Sequence, residues 1–205
     1  ISLLYQSMNR PYIKNMAIRP IIRMGNPTLR LKADAVKPEH ADSLTSIIPD
    51  MIETMRDAGG VGLAAPQIGI SLRLLVFEVP ASRATNADGD KPCEIQVLIN
   101  PSVKVITSEK QLGWEGCLSI PGLRGEVPRY KEINYTGFNS EGTSVEAFAS
   151  GFHARVVQHE MDHLDGILYP DRMIDFTSFG YVEELTKAQQ NHSQEVNNRH
   201  GGTDG

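Results

Sequence analysis

The densest run of reactive side chains in this chain is Gln158-His159-Glu160-Met161-Asp162-His163. An α-helix turns about 100° per residue, so His163 falls roughly 40° round from His159, and Glu160 roughly 60° beyond His163. The three then share one stripe about 100° wide. Two imidazoles one turn apart can grip a single ion, and the carboxylate between them can reach a water beside it. The flanking Val156, Val157, Leu164 and Ile167 are apolar. That predicts a buried helix, where two histidines and a glutamate are costly without a purpose. The bland reading, a solvated helix with Glu160 and Asp162 as surface acids, is the weaker one for that reason.

A hydrolytic metal site wants a third protein ligand and an open position for water. The run Leu164-Asp165-Gly166-Ile167-Leu168 holds no histidine, so the extended metalloprotease spacing is missing. Asp165 lies roughly 200° round from His163 and faces away. His153 projects about 80° from His163 and nearly three turns lower, which makes it a surface or supporting residue. The better candidate is Cys117, within Gly113-Trp114-Glu115-Gly116-Cys117-Leu118-Ser119-Ile120-Pro121-Gly122. An isolated cysteine is usually an inert small hydrophobe, and Cys93 shows nothing more. Around Cys117, glycine permits close backbone approach, and glycine with proline suits a shaped loop at a sheet edge. A thiolate suits zinc or ferrous iron. With two neutral imidazoles it leaves a divalent ion a net charge of about +1, still able to acidify water.

A third segment, Gly60-Val61-Gly62-Leu63-Ala64-Ala65-Pro66-Gln67-Ile68-Gly69, is rich in small residues. It lacks the Gly-Lys-Ser or Gly-Lys-Thr ending of a phosphate loop. Alone it reads as a helix stop followed by a tight strand entry, with Gln67 a surface amide. Together, though, the three segments resemble the signature motifs of the peptide deformylases: Gly-x-Gly-Leu-Ala-Ala-x-Gln at 60–67, Glu-Gly-Cys-Leu-Ser at 115–119, and Gln-His-Glu-x-Asp-His at 158–163. Order and spacing agree, no motif position departs, and the resemblance extends over about residues 17–187.

The resemblance implies one metal bound by Cys117, His159 and His163, natively ferrous iron, with zinc, nickel or cobalt as substitutes. It implies Glu160 as general acid–base, Gln67 and the Leu118 backbone N–H as oxyanion donors, and Gly62 as a backbone contact to substrate. The reaction it implies removes the N-formyl group from the first methionine of new polypeptides and releases formate. Val61 and Val156 are expected to line the methionine pocket, with Glu115 beside it. Arg124 is expected either to hold the peptide backbone or to be a surface arginine beside Glu126. A formyl carbon bears only hydrogen, so a wall of small residues at 60–65 can admit it and exclude bulkier acyl groups.

These residues need a frame. Apolar residues at Leu44, Ile47, Ile48, Met51, Ile52 and Met55 predict a helix over 38–58 that stops at Gly59-Gly60, with a kink or shortening at Pro49. Strands are expected at 72–79, 94–99, 103–107, 123–127, 131–138 and 143–149, with a polar loop at 81–92 that reads as a variable insertion. A second helix is expected over 152–164 and a third over 176–187. Strands come first and a helix is inserted late, which predicts an α+β fold: antiparallel or mixed sheets around a central metal-binding helix, flanked by an N-terminal and a C-terminal helix.

The 205 residues are 40% apolar and 22% charged, the profile of one globular domain. No apolar stretch approaches the roughly 20 residues of a membrane-spanning helix. Lys plus Arg is 20 against Asp plus Glu 25, a net charge of −5 with no basic run, which excludes a dedicated nucleic-acid binder. Two cysteines favour a reducing compartment over a disulfide scaffold. The catalytic domain is expected over 16–188, after upstream or expression-derived residues 1–15 and before a polar tail at 189–205. The enzyme is expected to be a monomer, cytoplasmic or in an organellar form, meeting nascent N-formylmethionyl chains near the ribosome. Two rivals use the same residues: a metallopeptidase, which would want a downstream ligand, and a structural zinc module, which would want a fourth ligand such as Cys93.

Overall fold

The computed structural model describes residues 17–188 and 190. The expected upstream segment at 1–15 and most of the expected tail at 189–205 lie outside the described residues.

Helix α1 (Ala41–Asp57) forms where apolar side chains recur every three or four residues, and Leu44, Ile47, Ile48, Met51 and Met55 are all buried. Pro49 sits inside the helix, which is not shortened there. One backbone bond is lost at the proline, and burial of the apolar face outweighs it. Among the described residues eight strands follow from the alternation and the turns: β1 (Gly62–Ala64), β2 (Leu74–Val79), β3 (Cys93–Val105), β4 (Lys110–Cys117), β5 (Ile120–Tyr130), β6 (Glu132–Phe138), β7 (Ser144–Ser150) and β8 (Gly180–Tyr181). A five-stranded sheet runs β1-β2-β3-β6-β7 and a three-stranded sheet β4-β5-β8, with every strand pairing antiparallel.

Helix α2 (Gly151–Leu164) lies against both sheets, touching β1, β2, β5 and β7. Strand β2 shows why the five-stranded sheet needs a helix on each face. Leu74 and Val76 point into a core with α1, while Leu75 and Phe77 point into a second core with Ala154, Val157 and Leu164 of α2. Each fully buried side chain of this size contributes roughly 1.5–3 kcal/mol. The architecture is α+β, as the sequence pattern predicts.

Three elements differ from expectation. The segments at 94–99 and 103–107 are one strand, β3, interrupted by a register shift between Ile99 and Ser102. There Asn100 takes φ 51°, a conformation asparagine tolerates, and its side chain bonds both backbone groups of Val36 at 2.8 and 2.9 Å. The loop expected around 113–121 is a hairpin, because β4 pairs with β5 from Lys110 to Cys117. Glycines at 113 and 116 mask the strand in composition. The helix expected at 176–187 starts late. A 3-10 turn at Phe176–Ser178, capped by the Asp175 carboxylate, leads into β8, and helix resumes at 182–188. Edge pairing of Gly180 and Tyr181 with Arg124 and Leu123 takes the residues between. Among the described residues no helix is long and apolar enough to cross a membrane.

Candidate active site

Helical spacing brings the His159 and His163 rings to a centroid separation of 5.1 Å. The β4–β5 hairpin then delivers the sulfur: Cys117 Sγ lies 3.3 Å from His163 Nε2. The ligand atoms of Cys117, His159 and His163 all lie within 4.8 Å of one another, and no other such group occurs among the described residues. Cys93 stands elsewhere, opposite Val79 where β3 begins. Among the described residues no fourth ligand joins the group, so the structural-zinc rival is not favoured.

The donor set fits a divalent metal. His159 Nδ1 is bonded to Glu115 Oε2 at 2.8 Å, which fixes the ring and leaves Nε2 to serve as the ligand atom. His163 Nδ1 and Glu160 Oε2 are buried without a hydrogen-bond partner. An unsatisfied buried carboxylate oxygen is expensive unless a water or substrate group meets it. Burial pushes the Glu160 carboxyl up to about 7, against the opposing pull of His159. A pKa there suits a group that both takes and returns a proton near neutrality.

Small residues make room for that carboxylate. A Cβ built on Gly62, in β1, would run into the Glu160 side chain, and one on Gly60 would come 2.8 Å from Leu118 Cδ1. Gln67 is buried, not the surface amide it suggests in isolation. Its Oε1 accepts from Ala64 N at 2.8 Å, and its Nε2 donates to Ser119 Oγ at 3.2 Å while lying 3.6 Å from Cys117 Sγ. The amide is thereby oriented with its N–H groups toward the sulfur. Leu118 occupies the tight turn between β4 and β5, next to Cys117. Val61, Val156 and Arg124 all line one cleft of about 560 Å³ that opens beside Cys117, His159 and Glu160.

Glu115 lines the cleft too, with its carboxylate engaged by other side chains of the fold. It accepts from Arg129 Nε and Nη2 at 2.8 and 2.9 Å, from Arg155 Nη1 at 2.9 Å, and bonds His159. Burial alone would raise its pKa, but Arg129 and His159 hold it well below the usual carboxylate range. Arg129 continues the chain to Asp162 at 2.5 Å, and Arg172 reaches Asp162 at 2.7 Å. Sequence reasoning missed Arg129, Arg155 and Arg172. A signal existed for the first: Gly125, Val127 and Arg129 share the buried face of β5, so an arginine on that stripe demands acids inside. His153 is neither on the surface nor at the metal centre. It is buried against Phe77 and Tyr135, whose hydroxyl is 3.2 Å from Nε2.

The family model for "Polypeptide deformylase" matches residues 18–178. "Peptide deformylase 2" of Pseudomonas putida is 50% identical over 171 residues, 82% of this chain and 94% of the relative. Its namesake in Ralstonia nicotianae is 48% identical over 169 residues, again 82% and 94%. Among solved structures, a class I type b peptide deformylase of Acinetobacter baumannii with Met-Ala-Ser bound superposes with a TM-score of 0.70 at 34% identity, covering 78% of this chain and 100% of that one. The peptide deformylase of Thermotoga maritima gives 0.67 at 39% identity, covering 77% and 99%.

Proposed function

This chain belongs to the polypeptide deformylase family, and from that premise we propose which of its residues carry the reaction. The enzyme is a metal-dependent peptide deformylase: it hydrolyses the formamide at the N-terminal methionine of new polypeptides and releases formate. In our reading Cys117, His159 and His163 hold one divalent ion, natively ferrous iron, with zinc, nickel or cobalt able to substitute. The thiolate donor supports a borderline-soft metal, and zinc's tighter binding makes occupancy depend on supply. When bound, the ion supplies Lewis acidity that acidifies water and polarises a carbonyl.

The chain's own groups do the rest. Glu160 takes the proton of the attacking water through the oxygen that has no partner in the fold, then hands it to the departing amine. Gln67 Nε2 and the Leu118 backbone N–H donate to the charge that develops on the formyl oxygen, and losing either should cost about 10²–10³ in rate. Gly62 contacts the substrate through its backbone. Its missing side chain, with that of Gly60, keeps the acyl site small enough to favour formyl. Val61 and Val156 line the methionine side chain's path, and Arg124 steadies the peptide backbone. We place the enzyme in the cytoplasm, as a monomer meeting nascent chains near the ribosome, with 16–188 as its catalytic domain.

One observation carries this reading: a hairpin sulfur meets two helical imidazoles beside an unpartnered, buried carboxylate. Glu160→Gln tests it. The variant should fold and keep its metal while formate release from a formyl-methionyl peptide falls by about 10²–10⁴. Retained activity would remove Glu160 from the mechanism. Cleavage of an unformylated peptide by the unaltered chain would revive the metallopeptidase.

A further inference from the structure

The charged residues lining the cleft are Arg83, Glu115, Arg124, Arg155 and Glu160. Glu115 and Arg155 neutralise each other at 2.9 Å, and Glu160 is buried at the reacting centre. That leaves two guanidinium groups, and among the described residues neither has an ion-pair partner. Each rests on an aromatic ring of the same cleft. Arg83 Cζ lies 4.3 Å from the Phe152 ring centroid and Arg124 Cζ 5.6 Å from that of Trp114. A guanidinium stacked on a ring still presents its edge N–H donors in the plane, in the fork that matches a carboxylate.

Arg83 comes from the 81–92 connection, the stretch that reads as a variable insertion. The structure shows that stretch bolted to the start of α2. Asp90 accepts from Thr85 N and Oγ1 at 3.1 and 2.7 Å and from His153 N at 2.9 Å. Ser150 N donates to Gly89 O at 2.9 Å, and Ser150 Oγ to Asp88 O at 2.6 Å. Arg83 is therefore held in fixed relation to the helix that carries the reacting groups. Phe152 precedes Glu160 by eight residues, about 12 Å along the axis. An extended peptide covers that in about four residues. The chain as a whole carries a net charge of −5, so an unpaired cation at the cleft rim runs against the background rather than with it.

We propose that Arg83 is a specificity-determining residue that binds a carboxylate side chain within the first residues after the formylated methionine, so that the cleft favours nascent chains with an acidic start. The inference rests on the deformylase reading. Its test is a series of formyl-methionyl peptides carrying Asp, Asn or Lys at the second, third or fourth position, with kcat and KM taken from formate release at low and high salt. Asp should be favoured over Lys by about fivefold in kcat/KM at one position, through KM, and less at high salt. Arg83→Gln should remove that preference and Arg83→Glu should reverse it. Lys104→Gln, an exposed change on β3, should preserve it. Equal rates for Asp and Lys peptides, a preference that survives Arg83→Gln, or one lost equally in Lys104→Gln would each overturn the assignment. If no formylated peptide yielded formate, the deformylase reading itself would fall, and the two failures stay distinct.

Discussion

Residues 158–164 of α2 set their reactive groups by helical spacing, whereas residues 151–157 are held by partners distant in sequence. Along the second half, His159 and His163 face one way because 3.6 residues make a turn. Along the first half, Asp90 accepts from the His153 backbone, and Arg155 donates to the carbonyls of Gln111, Gly113 and Val127 at 2.7, 3.2 and 2.8 Å. Gln158 joins the halves by bonding both backbone groups of Tyr130 at 3.0 and 2.9 Å. The contrast separates two tasks. Spacing can set two ligands, but the third arrives only if the helix and the β4–β5 hairpin are clamped at the right separation. The clamps are Arg155, Gln158 and the Asp162–Arg129–Glu115–His159 chain.

The largest effect should come from breaking the deepest clamp. Glu115→Leu leaves Arg129 buried with one acid fewer and frees the His159 ring. Removing one partner of a buried pair costs about 3–5 kcal/mol, which urea unfolding will report. Metal affinity should fall by about 10- to 100-fold, because Glu115 orients a ligand. Glu160→Gln, which strands no buried cation, should by contrast leave both quantities near their original values. If Glu115→Leu held metal and stability equally well, the clamps would be idle and the comparison would fail.

Next in size is Gly62→Ala. A Cβ there collides with the Glu160 side chain, and β1 is hydrogen-bonded to β2, so the carboxylate must move. A displacement on the order of 1 Å can cost about 10²-fold in rate. Formate release should fall by that order while metal content stays intact, since no ligand is touched. Undiminished activity would show that Glu160 has room to spare.

The same division explains what could be read without coordinates. The ligand pair and its carboxylate are local, and a helix period suffices to see them. Cys117 stood out by its glycine-rich setting and its thiolate chemistry, whereas Gln67 and Gly62 emerged because their segment resembles a known motif; by residue type alone Gln67 would have been placed on the surface. The clamps were invisible for a physical reason: Arg129 and Arg155 are ordinary residues until the fold brings Glu115 and Asp162 against them. Strand β4 was hidden by Gly113, which has its own reason to lack a side chain, since a Cβ there would meet Arg155 Nη2 at 2.7 Å. The 81–92 stretch reads as a variable insertion because its anchor, Asp90, acts on a helix more than sixty residues away.

That anchor supplies the smallest effect and the one with a pH signature. Burial raises the Asp90 pKa, but the Thr85 hydroxyl and the backbone N–H groups of His153, Thr85 and Phe152 outweigh it and hold the carboxyl below its ordinary value. A carboxyl that is more acidic when folded stabilises the protein fully above the unfolded-state pKa, near 4. As pH falls below that, the unfolded chain takes up the proton first and the stabilisation drains away. Asp90→Asn keeps the shape and removes the charge, so near neutrality it should cost about 1–2 kcal/mol, the range of a helix cap and a charge-assisted bond. Urea midpoints for the two proteins should therefore converge as pH drops from about 6 toward 3. A gap that stayed constant over that range would mean the negative charge contributes nothing, and a gap that widened would reverse the sign. Because Asp90 also secures the stretch bearing Arg83, the variant should blunt any acidic-peptide preference at neutral pH, whereas the unaltered chain should keep it. Anchor and specificity are thus tied to the half of the helix that holds no catalytic group.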